Sequence, residues 1–112
     1  MKTMLDSEII AVYVIFGSDE EARRIGRQLV EEGLAACANI LAPCRSIYRW
    51  RGRIEEAQEV PAILKTRADA AERLIARLAE LHSYDVPAAV VWPIATALED
   101  YREWVLAESC AA

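Results

Sequence analysis

The sequence predicts a single α+β domain with a ferredoxin-like βαββαβ order and an extra C-terminal helix. Three observations lead to this prediction. The chain has 112 residues, the length of one ordinary domain; apolar runs rich in β-branched residues alternate with segments of helical periodicity; and turn residues separate the two. We therefore expect residues 1–112 to form one domain, with residues 1–8 and 110–112 as flexible ends.

The first part of the chain predicts a strand, a helix and a second strand. The run 9–16 is apolar and β-branched, which is typical of a buried strand. Ser18 and Glu21 form the S-x-x-E pattern of a capping box, so we expect a helix to begin there. Gly33 is placed to end that helix in a left-handed conformation. The run 34–40 is again apolar and predicts the second strand.

The middle of the chain predicts a β-hairpin. Arg51 and Gly52 form a turn signal between an extended pattern at 46–50 and another that begins at Ile54. Pro61 lies within the returning strand, although proline cannot donate a hydrogen bond to a sheet ladder. We therefore expect Pro61 at an edge position or a bulge.

The last part of the chain predicts a helix, a strand and a final helix. Leucines at helical spacing share one face over 69–81, residues 83–87 form a turn, and the apolar run 88–94 predicts the last strand. Glu99 and Asp100 begin the final helix, because negative charge is favourable near the positive end of a helix dipole. The apolar stripe of this helix is expected to consist of Leu98, Tyr101, Trp104 and Val105.

The composition favours self-association and argues against several partners. Hydrophobic residues make up 54% of this small chain, so we expect another chain to cover part of the apolar surface. The net charge of -5 repels phosphate backbones, which disfavours nucleic acid. The sequence has no secretory signal pattern, no apolar run of about 20 residues and no C-x-x-C pair. We therefore predict a cytoplasmic protein with no membrane partner.

Two residues are candidate metal ligands. His82, the single histidine, can titrate near neutral pH or bind a metal, or it can cap the carbonyls at a helix end. A single-chain zinc site needs about four ligands, so a transition-metal site here would recruit groups from several subunits or be weak. Cys37 lies in an apolar run and is typical of a small buried hydrophobe, unless a nearby cation or metal makes it a thiolate.

Charged and aromatic residues of the hairpin region are candidates for ligand binding. Lys65 can bind an anionic ligand or pair with a carboxylate. Glu59 is an even number of residues away on the same predicted strand, so both side chains are expected on one face. The alternative is a surface ion pair, which contributes little to stability. Tyr48 and Trp50 lie close to Arg49, Arg51 and Arg53 near the tip of the predicted hairpin. Such a mixture can bind single-stranded nucleic acid, but in an acidic chain we interpret these aromatics as interface anchors.

The sequence has no known catalytic signature. The G-x-S-x-G, P-loop, Rossmann glycine and H-E-x-x-H patterns do not occur. The least favoured alternative is an enzyme that uses His82 as a general acid or base. The sequence therefore predicts a binding protein and not an enzyme.

Several segments, in order, resemble the CutA family, the divalent-cation-tolerance proteins. Residues 29–40, LVEEGLAACANI, are similar to the family's LVEERLAACVNI, and residues 46–52, SIYRWRG, are similar to its S-x-Y-x-W-x-G. The resemblance extends from about Ile9 to Ser109 and is specific in the order and spacing of its parts. Its remaining matches are Glu59, Lys65, Thr66, His82, Tyr84, Pro87, Pro93, Ile94, Tyr101 and Trp104.

The resemblance implies a PII-like homotrimer in which hairpin strands extend the sheets across subunit boundaries. It implies a response to copper and other divalent ions, with a metal ion or a small anionic ligand bound in clefts between subunits. The alternative is a signalling or structural trimer that acts through a protein partner without binding metal. The residues implied at the cleft are Tyr48, Trp50, Glu59, Lys65 and Tyr84 for the ligand and His82 and Cys37 for the metal.

Three departures separate the sequence from the family pattern. The family's H-P-Y-E-x-P stands here as HSYDVP at 82–87, and Ala97 replaces a glycine after the last strand. Ile15 and Leu81 occupy the places of a cysteine and a histidine that are proposed copper ligands in some members. Because only His82 remains of that set, the resemblance implies at most weak copper binding.

Overall fold

The computed structural model describes residues 7–110, and they form one five-stranded antiparallel sheet with three α-helices. The predicted α+β class and the predicted order of elements are confirmed. No helix in this range is long and apolar enough to cross a membrane. The elements are β1 Ile9–Phe16, α1 Asp19–Glu31, β2 Cys37–Ile40, β3 Cys44–Trp50, β4 Arg53–Arg67, α2 Ala71–Leu81, β5 Ala89–Pro93 and α3 Glu99–Glu108.

The sheet is built around β4, which pairs with three other strands. The order across the sheet is β2-β4-β1-β5, and β3 pairs with the first half of β4 as a hairpin. The predicted second strand of the ferredoxin-like order is therefore divided between β2 and β3. As a result β2 and β3 lie at one edge of the sheet and β5 lies at the other.

The main core lies between one face of the sheet and helices α1 and α2. Alternate residues of β1 and β4 face the helices, because side chains of a strand point to opposite faces in turn. Burying these apolar side chains supplies the main driving force that holds the two layers together. The largest fully buried side chains of this core, from the strands and the helices together, are Phe16, Ile25, Leu29, Leu64, Leu74, Leu78, Val12 and Val14.

The ends of α1 follow the sequence signals closely. The Ser18 hydroxyl oxygen accepts a hydrogen bond from the Glu21 N–H at 3.1 Å, which satisfies one of the free donors at the helix start. Gly33 has φ 76°; its N–H bonds the Val30 carbonyl and the N–H of Leu34 bonds the Leu29 carbonyl, each at 3.0 Å. This pattern is a Schellman motif, which needs a left-handed residue at the position of Gly33.

The predicted second strand is shorter than its apolar run. The N–H groups of both Leu34 and Ala35 bond the Leu29 carbonyl, at 3.0 and 3.2 Å. These two residues therefore complete the end of α1 and cannot begin a ladder. The strand β2 begins only at Cys37.

Pro61 does not lie on an edge strand, so the expected edge position is wrong, whereas the register beside it has the irregularity of a bulge, with residues 41–43 opposite residues 60–61. It lies within β4 and is paired with Ile15 of β1. Its carbonyl accepts from the Leu41 N–H at 2.9 Å, in the gap where the partner of β4 changes from β3 to β2. The missing N–H is tolerated because the ladder on that side is already interrupted there.

The predicted apolar stripe of α3 is only partly confirmed. Val105 is fully buried and Tyr101 is half-buried, and both belong to a small cluster on the second face of the sheet. Leu98 is 77% exposed, and Trp104 is also exposed. One end of α3 therefore leaves apolar surface uncovered within a single chain.

Two contacts hold the described residues nearest the ends. The Arg102 guanidinium donates to the Glu8 carboxylate at 2.7 Å, and the Cys110 N–H donates to the Gly33 carbonyl at 2.7 Å. The prediction of flexible ends, as far as it concerns residues 1–6 and 111–112, lies outside the described residues.

Candidate functional site

A pocket of about 700 Å³ lies between the β3–β4 hairpin and the loop that joins α2 to β5. We call it the hairpin pocket. Such a volume is typical of sites for small molecules. It is lined by Ile15, Ser46, Tyr48, Arg49, Trp50, Arg51, Glu59, Tyr84, Asp85, Val86 and Ala88.

The turn of the hairpin sets which side chains face the pocket. Arg51 and Gly52 have φ 51° and 80°, as the type I′ turn of a two-residue hairpin requires. The resulting register pairs Tyr48 with Glu55 and Trp50 with Arg53. Because side chains alternate along a strand, Tyr48 and Trp50 share one face of the hairpin, while Ile47 and Ile54 share the other.

Tyr84 and Glu59 form the inner wall of the pocket. The Tyr84 hydroxyl donates to Glu59 Oε2 at 2.8 Å, and Glu59 is only 8% exposed. Burial, together with the hydrogen bond to Glu59 and the charge of that carboxylate, raises the pKa of Tyr84 to about 12. The phenol is therefore protonated at neutral pH and serves as a donor to Glu59.

His82 holds the loop that carries Tyr84. Its Nδ1 accepts the Tyr84 N–H at 3.0 Å and its Nε2 lies 2.8 Å from the Ile15 carbonyl oxygen. A carbonyl can only accept, so Nε2 carries the proton and both ring nitrogens are occupied. The ring also stacks on Phe16, with centroids 5.0 Å apart and 8° between the planes. His82 therefore joins the loop to the end of β1.

Glu21 holds the same loop from the first turn of α1. Its carboxylate accepts the Ser83 N–H at 2.8 Å and the Gly17 N–H at 3.4 Å. Although burial acts to raise the pKa of Glu21, these hydrogen bonds outweigh it, and the pKa lies below its ordinary value. The capping box is therefore only half formed. The Ser18 hydroxyl accepts from the Glu21 N–H, but the Glu21 carboxylate accepts from Gly17 and Ser83 and not from the Ser18 N–H.

Lys65 and Cys37 lie outside the hairpin pocket. The two residues are cross-strand partners of β4 and β2, and the Lys65 Nζ donates to Asn39 Oδ1 at 2.8 Å. The Cys37 Sγ lies 3.5 Å from the Tyr101 hydroxyl. Along an extended strand, Lys65 is about 20 Å from Glu59. The structure therefore brings Tyr48, Trp50, Glu59 and Tyr84 together with His82 beside them, but it does not bring Lys65 or Cys37 to that pocket.

His82 and Cys37 do not fit a shared metal site within one chain. A ligating imidazole needs a free ring nitrogen, whereas both nitrogens of His82 are hydrogen-bonded. Cys37 lies in the other group of residues, beside Lys65. In the part of the chain that the structure describes, no three His, Cys, Asp or Glu side chains are grouped to hold a metal ion.

Two residues of the site were not identified as such from the sequence. Asp85 lines the pocket, but it stood out only as a departure from the family pattern. Glu21 was assigned to helix capping alone, because its second partner, Ser83, lies 62 residues away. No local sequence signal marks such a contact.

The chain is similar in sequence to known divalent-cation tolerance proteins. The family model described as CutA1 divalent ion tolerance protein matches residues 10–108. The divalent-cation tolerance protein CutA of Pyrococcus horikoshii is 46% identical over 101 residues, which is 90% of this chain and 98% of the relative. The similarity therefore covers the strands, the helices and the hairpin pocket.

The fold is similar to solved structures of the same kind. The divalent cation tolerance protein Cut A1 from Thermus thermophilus has a TM-score of 0.88 at 40% identity, over 91% of this chain and 99% of that one. CutA1 from Oryza sativa has a TM-score of 0.91 at 31% identity, over 95% and 97%. The arrangement of elements described above is thus common to these structures.

Proposed function

The chain belongs to the CutA1 divalent ion tolerance family, and on that premise we propose that it acts as a homotrimer that binds a small ligand in its hairpin pockets. The role is binding and not catalysis. Three copies is the number that the family resemblance implies. The observation that carries the proposal is the exposed apolar surface on the two free edges of the sheet.

Both edges of the sheet carry large apolar side chains that a single chain leaves in water. On the outer face of the hairpin, Ile47 is 67% exposed and Ile54 is 63% exposed, and on β5 Trp92 is 46% exposed. Unpaired strand edges are templates for pairing with another chain, and large exposed apolar patches mark interaction surfaces. Association of copies through the hairpin and β5 would cover both edges.

The chemistry of the hairpin pocket supports a small ligand with an anionic group at the hairpin tip. Arg51 lines that end, and its guanidinium lies 5.6 Å from the centre of the Trp50 ring. Arginine provides several donors in a geometry that suits carboxylates and phosphates. Because the hairpin is also the proposed contact between copies, each pocket would lie at a seam of the trimer.

We propose metal binding only for the trimer and not for a single chain. Within one chain His82 and Cys37 do not meet, so a weakly bound copper or other divalent ion would need groups from more than one copy. The response to divalent ions would then depend on the trimer. A cytoplasmic location stays a prediction.

Light scattering coupled to size-exclusion chromatography tests the proposal. The wild-type protein is expected to have three times the chain mass of 12.5 kDa. Ile47→Glu places a charge on the apolar face of the hairpin and should dissociate the trimer, whereas Ala79→Glu, at an exposed position of α2, should not. A wild-type mass of one chain would overturn the proposal.

A further inference from the structure

One carboxylate oxygen in the hairpin pocket accepts no hydrogen bond from residues 7–110. Glu59 is only 8% exposed, and of its two oxygens only Oε2 accepts a hydrogen bond, from Tyr84. Among residues 7–110, Thr66 Oγ1 is the one fully enclosed side-chain polar atom that lacks a partner. Glu59 Oε1 is therefore still in contact with the pocket that its residue lines.

Two aromatic rings lie towards the same end of the pocket. Tyr48 lies on the hairpin, and Tyr84, on the opposite loop, donates a hydrogen bond to Glu59. Trp50 is paired with Arg53 at the hairpin tip, about 20 Å along β4 from Glu59, and does not belong to this end. Faces of aromatic rings attract cations, and several rings around one volume form the cage typical of sites for organic ammonium groups. Asp85 adds a second acidic group to this lining.

We propose that the inner end of the hairpin pocket binds an organic ammonium group, held by Glu59 Oε1 and by the faces of Tyr48 and Tyr84. A hard divalent cation is the poorer fit, because such ions require six or more oxygen ligands and aromatic rings supply none. An ammonium donates a charge-assisted hydrogen bond to Glu59 Oε1, whereas a neutral donor leaves the charge of the carboxylate without a counter-ion. The ammonium compensates the buried charge and occupies the space between the rings.

The inference rests on the proposed function only in that it takes the hairpin pocket as the ligand site. It adds the cationic end to a ligand whose anionic group faces Arg51 at the hairpin tip. The ligand class is therefore an elongated zwitterion with an ammonium at one end. All the residues that hold the ammonium belong to one chain, so this binding does not require the trimer.

Nuclear magnetic resonance titration with three four-carbon probes tests the charge preference. n-Butylammonium, n-butanol and n-butyrate have similar size but differ in charge, and sodium chloride keeps the ionic strength constant. We expect n-butylammonium to shift the Glu59 and Tyr84 amide signals of the full-length protein in a saturable manner. Equal shifts with n-butanol, tighter binding of n-butyrate, or no binding of n-butylammonium would overturn the inference.

Two carboxylate variants locate the site. Glu59→Gln should weaken n-butylammonium binding by roughly tenfold or more, because a charged partner is lost. Glu55→Gln is the matched control, since Glu55 lies on the same face of β4 and is exposed but does not line the pocket. Equal losses in the two variants would overturn the assignment to Glu59.

A third variant decides the matter if Glu59→Gln does not fold. Tyr48→Leu removes an aromatic face from a half-exposed position and keeps its apolar bulk, so it should weaken n-butylammonium binding by roughly two- to fivefold. Unchanged affinity would contradict the cage. Light scattering on the same samples separates the two proposals, because a single-chain mass defeats the trimer, whereas loss of the charge preference defeats the ammonium site.

Discussion

Glu21 and Ser83 are joined across 62 residues of sequence, with the Ser83 N–H donating to Glu21 Oε2 at 2.8 Å. Glu21 lies in the first turn of α1, and Ser83 begins the loop that carries Tyr84 into the hairpin pocket. The start of a helix on one side of the sheet therefore positions one wall of the candidate site.

Removing the Glu21 carboxylate is expected to destabilise the protein. Glu21→Ala leaves the N–H groups of Ser83 and Gly17 without their acceptor, which should lower the free energy of unfolding by about 1–3 kcal/mol. Urea denaturation at a fixed protein concentration measures the change. Glu20→Ala, on the exposed side of the same turn, is the control and should cost less than about 0.5 kcal/mol; equal costs would show that the loop contact contributes nothing.

The ion pair between α1 and α2 is expected to make stability depend on acid pH. Arg77 donates two hydrogen bonds to Glu32, at 2.9 and 2.8 Å. These bonds and one from Gln28 lower the pKa of Glu32 from 4.5 to about 2. A lowered pKa means that the unfolded chain takes up the proton first. The contribution is therefore present above pH 4.5 and is lost as pH falls towards 2.

The variant Arg77→Met tests this dependence. It removes the donors, so its Tm should fall less steeply than that of the wild type as pH is lowered from 4.5 to 2. Arg24→Met on α1 changes the net charge by the same amount and should retain the wild-type slope. If the Tm of Arg77→Met declines as steeply as that of the wild type, the pair has no part in acid stability.

Gly33 is expected to be irreplaceable for two separate reasons. Its φ is 76°, and a β-carbon there would lie 2.6 Å from the Cys110 Sγ. Gly52 has φ 80° with nothing within 4 Å of such a carbon, so Gly52→Ala reports the cost of the left-handed conformation alone, about 1–2 kcal/mol. Gly33→Ala should cost more, because the clash with the thiol adds to it.

A double variant separates the two contributions. Gly33→Ala with Cys110→Ala removes the thiol, and the nearest remaining side-chain contact, to the Cys110 β-carbon, is an ordinary 3.6 Å. Its free energy of unfolding should then be lowered only about as much as in Gly52→Ala. If the double variant is as unstable as Gly33→Ala alone, the contact with Cys110 is not the cause.

Elements whose signals are local were predictable from the sequence. The start of α1 at Ser18, its end at Gly33 and the turn at Arg51 and Gly52 each depend on contacts within a few residues. Backbone preferences and capping hydrogen bonds act over that range. Whether Pro61 lies at an edge or beside a bulge could not be decided locally, because its tolerance depends on where β2 ends and β3 begins, which is a property of the sheet.

The candidate site was predictable only in part. Alternation along the hairpin was enough to place Tyr48 and Trp50 on one face. The same alternation made Lys65 and Glu59 equivalent, although the former bonds Asn39 and the latter bonds Tyr84. Parity identifies a face of a strand but not a position along it, so it could not exclude Lys65 from the pocket.

By itself, the sequence determined the α+β class, the order of strands and helices and the hairpin with its exposed aromatics, because each follows from periodicity and turn chemistry between near neighbours. Only the tertiary structure decided that Glu59 meets Tyr84, that both nitrogens of His82 are occupied and that Glu21 holds the loop. These contacts join residues 25 to 67 positions apart, apart from the short bond between His82 and Tyr84. Packing of α1, β1 and the loop around one core creates such contacts, and no pattern along the chain records them.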